Sequence, residues 1–207
     1  MALDMKAYIL SCPSRAELCA QTIRNLSLTD WDDEPEVVLD QTTYERSQHR
    51  QEQTSLRLLN RAAASGHEFV LFFEDDLDFN RHLRHNLERW FPLVTRRPAT
   101  HLFASLYNPS VRPIHRSPLN AYFVADPLSV YGSQAYIMAA GTAGYIAANW
   151  PDIIGAQDIK MSRLAARLCP IYYHAPSLVQ HVGVVSTWGG HFHSARDFDL
   201  TWTNPRG

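Results

Sequence analysis

Lysine is almost missing from this chain of 207 residues: it occurs only at Lys6 and Lys160. The cationic residues are otherwise arginines, which suit bidentate phosphate contacts better than lysine does, although a base-composition bias in the coding sequence gives the same excess. With a net charge of −2, the chain has no general pull toward nucleic acid or an anionic membrane. Cysteine is scarce as well. Cys12, Cys19 and Cys169 stand far apart without a Cys-x-x-Cys pair, so neither a disulfide framework nor a thiolate zinc site is indicated. Met1 to Lys6 is not a basic start followed by an apolar core, and no apolar run approaches the ~20 residues needed to span a bilayer. These absences predict a soluble, cytoplasmic protein. The glycines of a dinucleotide fingerprint or a P-loop are also lacking, which argues against both phosphate cradles. Repeats and low-complexity segments are not evident.

What is present is organised around Phe69-Val70-Leu71-Phe72-Phe73. This apolar, aromatic and β-branched run reads as a strand buried on both faces, the kind found in parallel sheets covered by helices. Glu74, Asp75, Asp76 and Asp78 follow at once. In an open parallel sheet, ligands bind beyond the carboxyl ends of strands, so these acids stand where ligands bind. Acids packed so closely repel one another, and a divalent cation is the usual way to offset that repulsion. The bland alternative is an acidic turn leading to a helix capped by Asn80 and running through Phe91.

The chain around that strand alternates in type. Ala7–Leu10 predicts a first strand, turning directly into a helix whose capping box is Ser14 with Glu17. The turn from Ser11 to Arg15 offers a hydroxyl and a guanidinium for a nucleotide phosphate, or is an ordinary connection. Glu36–Asp40 predicts a second strand, ending in an Asp40 that either meets a base or ribose or caps a helix. Thr43 to Ser65 reads as a helix stopped by Gly66, with Arg46 and Arg50 one turn apart, facing a diphosphate or solvent. After Pro92 the alternation loosens. Strands are expected at His101–Tyr107, Ala121–Val124, Tyr131–Met138, Ile171–Tyr173 and Ser177–Gln180, with a loop rich in proline from Pro109 to Pro118, a short helix ending near Trp150 and another with Asp158 in its first turn. An acid in a helix's first turn, as at Asp158, by itself only complements the dipole. A length of 207 residues suits a single domain over 1–207, with a nucleotide-binding half over about 1–100 and an acceptor-side half over about 101–207.

The order of these parts, with Glu74-Asp75-Asp76, Gly132-Ser133-Gln134, the late Asp158 and the string from Pro176 to Gly183, resembles the nucleotide-sugar glycosyltransferases of the A-type fold. The last string looks most like the N-acetylglucosaminyltransferase IV family and related bacterial and viral enzymes. The resemblance implies an α/β domain with a mixed, mainly parallel sheet and helices on both faces. It implies a DXD-like metal and donor motif at Glu74, Asp75 and Asp76, with Asp76 the direct ligand and His181 completing the metal site. Asp158 matches the catalytic base of inverting members, while Ser11, Arg15, Asp40 and Arg50 fall in the donor-binding region.

The implied reaction moves a hexose or N-acetylhexosamine from a nucleotide diphosphate, most simply UDP-linked, to a hydroxyl. The acceptor is left open among a glycan, a lipid-linked sugar, a protein side chain and a hydroxylated nucleobase. Carboxylates with one imidazole suit Mn²⁺, and carboxylates alone suit Mg²⁺. His191 and His193 compete with His181 for the cation. Tyr107, Tyr131 and Trp188 either stack on sugar rings at the acceptor side or pack as core and rim. Two other functions remain: a metal-dependent nucleotidyl- or phosphoryltransferase using the same acids, and a sugar- or nucleotide-binding module without catalysis.

Overall fold

Both faces of the Phe69–Phe73 segment are buried, so two layers must cover it. The computed structural model describes residues 2–41, 46–95, 101–183 and 193–205, and there the layers are helices. In chain order the strands are β1 (Met5–Ser11), β2 (Glu36–Leu39), β3 (Phe69–Phe73), β4 (Leu77–Phe79), β5 (Phe103–Ser105), β6 (Pro113–Ser117), β7 (Tyr122–Ala125), β8 (Ala135–Ala139), β9 (Ile171–His174) and β10 (Val179–His181). The helices are α1 (Ala16–Ser27), α2 (Ser47–Ala64), α3 (Leu83–Glu88), α4 (Phe91–Thr95), α5 (Ala140–Ala148) and α6 (Gln157–Ala165). Eight strands form one sheet in the order β2-β1-β3-β8-β5-β9-β7-β6, and β4 with β10 forms a separate ribbon.

The fold is α/β with helices on both faces, but the sheet is mixed and not mainly parallel. Among the described residues β1 pairs in parallel with β2 and β3, and β5 with β9, whereas β8, β7 and β6 enter antiparallel. Strand direction follows from how a strand is connected. β7 returns from β6 through a short 3₁₀ turn at Pro118–Asn120, a connection that only antiparallel neighbours can use.

Alternation along each strand sorts the core into two halves. Ile9, Phe69, Leu71, Phe73, Ala135 and Ile137 meet Cys19 and Leu26 of α1 and Leu83 and Leu87 of α3. Tyr8, Leu10, Val70, Phe72, Tyr136 and Met138 meet Leu58 and Ala62 of α2, Ile146 of α5 and Leu164 of α6. No helix among the described residues is long and apolar enough to cross a membrane.

Several local expectations are corrected. Ser14 does not cap α1, because Pro13–Arg15 closes a 3₁₀ turn first and the helix begins at Ala16 without a side-chain cap. Asn80 caps no long helix to Phe91. Leu77–Phe79 leaves the sheet as β4, and Asn80 instead accepts from the His82 amide at 2.8 Å and donates to the carbonyls of Asp199 and Trp202. Pro92 sits in the first turn of α4, where its missing N–H costs no helical hydrogen bond. Pro113–Ser117, expected as loop, is edge strand β6. Gly132 to Gln134 precede β8 instead of belonging to it. The expected start of the second helix at Thr43 lies outside the described residues.

Candidate active site at the carboxyl end of the central strands

β1, β2 and β3 are parallel and in register, so their carboxyl ends put Ser11, Asp40 and Glu74 along one edge. The Asp40 amide donates to the Ser11 carbonyl at 2.7 Å, tying those two ends together. Beyond β3 the chain turns through Asp75 and Asp76 into β4, which pairs with β10 so that Leu77 faces His181. The amide of Val182 donates to the Asp76 carbonyl at 2.9 Å. This ribbon is what brings a histidine from the far end of the chain onto the acidic motif.

Asp75 and Asp76 are both buried. The Arg15 guanidinium bridges them, donating from Nε to Asp75 Oδ1 at 2.7 Å and from Nη2 to Asp76 Oδ2. Ser11 Oγ donates to the second oxygen of Asp75 at 2.6 Å. His181 Nε2 lies 3.2 Å from Asp76 Oδ2. Burial works to raise the Asp76 carboxyl, but the hydrogen bond and charge of His181, with Arg15 behind them, outweigh it and hold the group below the usual carboxylate range. The same contact raises His181, against burial that disfavours its imidazolium.

The other oxygen of Asp76, Oδ1, is buried and has no hydrogen-bond partner among the described residues. An anionic oxygen withdrawn from water without a partner is costly, and an ion or water at that atom would offset the cost. Gly183 lets the chain pass this point, since a Cβ there would lie 2.2 Å from Asp76 Oδ2 and 3.0 Å from His181 Nε2.

The residues fit a divalent cation. His181 Nδ1 lies 3.2 Å from the His193 carbonyl, which can only accept, so Nδ1 is a donor; Nε2, which faces Asp76 Oδ2, is the nitrogen that would ligate a cation once it gives up its proton. Asp76 and His181 give one carboxylate and one imidazole, a donor set suited to Mn²⁺. No group of three or more candidate ligands occurs among the described residues. Two protein ligands match a cation whose remaining positions go to water and substrate phosphates. Trp188 and His191 lie outside the described residues.

Glu74 stands behind this pair. Its carboxylate accepts from Ser133 Oγ at 2.6 Å and from Gln157 Nε2 at 2.8 Å. Burial first, then the nearby Asp76 charge, pushes its pKa up to about 7. Gln157 also donates to Ser133 Oγ at 2.6 Å and accepts from Ser55 Oγ of α2, so α2, α6 and the turn before β8 converge on one acid. Sequence reasoning missed Gln157; its place beside Asp158 and Glu74's need for donors were the available signals.

Asp158 opens α6 with both oxygens on backbone amides, Gly132 N–H at 2.8 Å and Ile159 N–H at 2.8 Å. It thus shares the Gly132–Gln134 turn with Glu74. Asp40 pairs with Arg50 at 3.2 Å, with Thr54 Oγ1 at 3.4 Å from its other oxygen. Tyr107 is buried, and its hydroxyl is 2.7 Å from His193 Nδ1, so it reaches the site through His193 instead of offering an open ring. Tyr131 is 42% exposed and edge-on to His193, with its hydroxyl donating to the Pro109 carbonyl at 2.6 Å. His193 itself packs 5.5 Å from His181, ring to ring.

No protein-family model and no curated protein matches this chain. The functional reading therefore stands on the residues and their geometry.

Proposed function

We propose that this chain is a metal-dependent inverting glycosyltransferase of the A-type fold that moves a sugar from a UDP-linked donor to a hydroxyl acceptor. The observation that carries the reading is Asp76. It combines a buried oxygen without a partner among the described residues with a histidine on the other oxygen whose far nitrogen is held by a carbonyl, at the end of the central strand.

The assigned roles follow from position. Asp40 and Arg50 lie beside the β1 and β2 ends, where a nucleoside would sit. Ser11 and Arg15 line the path to the diphosphate, and Asp76 with His181 would hold the cation. When bound, Mn²⁺ stabilises the negative charge that develops on the leaving diphosphate. Asp158 takes the acceptor proton as the hydroxyl oxygen attacks the anomeric carbon. The bond to the diphosphate breaks with its electron pair leaving on phosphate oxygen, and attack from the opposite face inverts the centre. The two amides on Asp158 fix its orientation, and each carboxylate oxygen keeps a further lone pair for that hydrogen bond.

The phosphoryl-transfer alternative asks for a lysine on the phosphates. Lys6 donates to the Glu34 carbonyl at 2.8 Å, and Lys160 is buried against the carbonyls of Trp150 and Ile153. Neither lysine is directed at the acids.

Calorimetric titration of UDP and UDP-sugars, with Mn²⁺ and with chelator, tests the reading. Wild type should bind in a metal-dependent way and Asp76→Ala should not. Asp158→Asn should keep metal-dependent binding and lose roughly a hundred- to ten-thousand-fold in turnover. Binding that ignores metal and survives Asp76→Ala would remove the transferase reading.

A further inference from the structure

Arg15 occupies the place where a positive charge on Asp76 is wanted. Its Nη2 donates to Asp76 Oδ2, the same oxygen that His181 approaches, while Nε holds Asp75. Both acids have an anchor that does not depend on Arg15. Ser11 holds Asp75 at 2.6 Å, and the Val182 amide and His181 hold the Asp76 residue. The guanidinium can therefore leave without dismantling the acidic turn. A divalent cation arriving beside it meets like charge at contact distance, which weakens binding. A diphosphate arriving at the same turn offers the guanidinium an alternative partner of matching bidentate geometry.

We propose that Arg15 is a resident counter-cation that is exchanged: it neutralises Asp75 and Asp76 in the free protein and moves onto the diphosphate when the metal takes Asp76. Nucleotide and metal binding then promote each other beyond their direct contact, and by linkage the effect is equal in both directions. The nucleotide half of this inference rests on the transferase reading. The metal half does not.

The test is Mn²⁺ titration onto the full chain, followed by the electron paramagnetic signal of free Mn²⁺, with and without UDP, for wild type, Arg15→Gln and Arg15→Lys. In wild type, Mn²⁺ alone should bind weakly and saturating UDP should tighten it at least tenfold. In Arg15→Gln, Mn²⁺ alone should bind at least tenfold more tightly than in wild type, UDP should bind more weakly, and the tightening by UDP should shrink. Arg15→Lys, whose ammonium is a point charge and no fork, should fall between and carries the test if the glutamine variant does not fold. Mn²⁺ affinity that is unchanged or lower in both variants, beside a wild type that responds to UDP, would overturn the exchange and leave the transferase reading standing. Tighter Mn²⁺ binding in the variants with no response to UDP in any form would overturn the nucleotide half and the transferase reading, and keep Arg15 as the competing cation.

Discussion

His174 lies wholly inside, its ring 5.0 Å from Trp90 and 5.4 Å from Trp202. Nδ1 donates to the Pro176 carbonyl, so Nε2 is the acceptor, and it has no partner among the described residues. Burial disfavours the imidazolium and pushes the pKa down to about 4, against the Pro176 hydrogen bond, which works the other way. In the unfolded chain histidine titrates near ~6.5, so between about 6.5 and 4 the unfolded state binds more protons than the folded one. The contribution is full above ~6.5 and is lost as pH falls toward about 4, roughly 3 kcal/mol in all. Urea midpoints should show this decline in wild type. In His174→Gln, which keeps a donor but does not titrate, the decline should be flatter; an equally steep one would assign the acid sensitivity elsewhere. His174 and His181 each close a short strand, and in the sequence only the resemblance carried by the string from Pro176 to Gly183 sets His181 apart. In the structure, burial pushes His174 down, while the Asp76 carboxylate outweighs burial and raises His181. Arg15 was legible as a candidate-site residue but not in its partner, because the acids it bridges lie some sixty positions away.

At the scale of elements, the run Phe69–Phe73 declared itself because a strand buried on both faces has no polar positions to obscure it. Its successor β4 did not. Three residues with Asp78 in the middle look like a turn, and their pairing with β10 spans about half the chain. Among the described residues β4 pairs on one edge only, so the groups on its other edge need partners. The Leu77 amide donates to Thr22 Oγ1 at 2.9 Å, and its carbonyl accepts from Asn25 Nδ2 at 2.8 Å, both from α1. Thr22 and Asn25 read as ordinary polar helix residues in sequence, yet both are buried for this purpose. Thr22→Val keeps the shape and leaves the Leu77 N–H without an acceptor, so urea denaturation should show a loss of roughly 1–3 kcal/mol. Thr22→Ser keeps the hydroxyl and should lose clearly less. Equal losses in the two variants would place the effect in side-chain packing and not in the hydrogen bond.

Across the whole molecule, the sheet has a parallel part, β2-β1-β3, and a mostly antiparallel part, β8-β5-β9-β7-β6, joined where β3 pairs with β8 from Phe69↔Ala139 to Phe73↔Ala135. The candidate site lies at the end of that seam. Glu74 N–H donates to the Gln134 carbonyl at 2.9 Å, and the side chains on Glu74 come from the turn before β8 and from α6. Residues from Ser11 to His181 converge there, so the nucleotide-side and acceptor-side regions read from sequence share one set of contacts. A ligand held at the seam should stabilise the two parts together. If UDP with Mn²⁺ binds as proposed, a concentration about a hundred times Kd adds about 2.7 kcal/mol. At ~2–4 °C per kcal/mol for a chain of this size, a single melting transition should rise by about 5–11 °C. Calorimetry resolving two transitions, with only one moved by ligand, would mean that the parts unfold separately and that the site belongs to one of them.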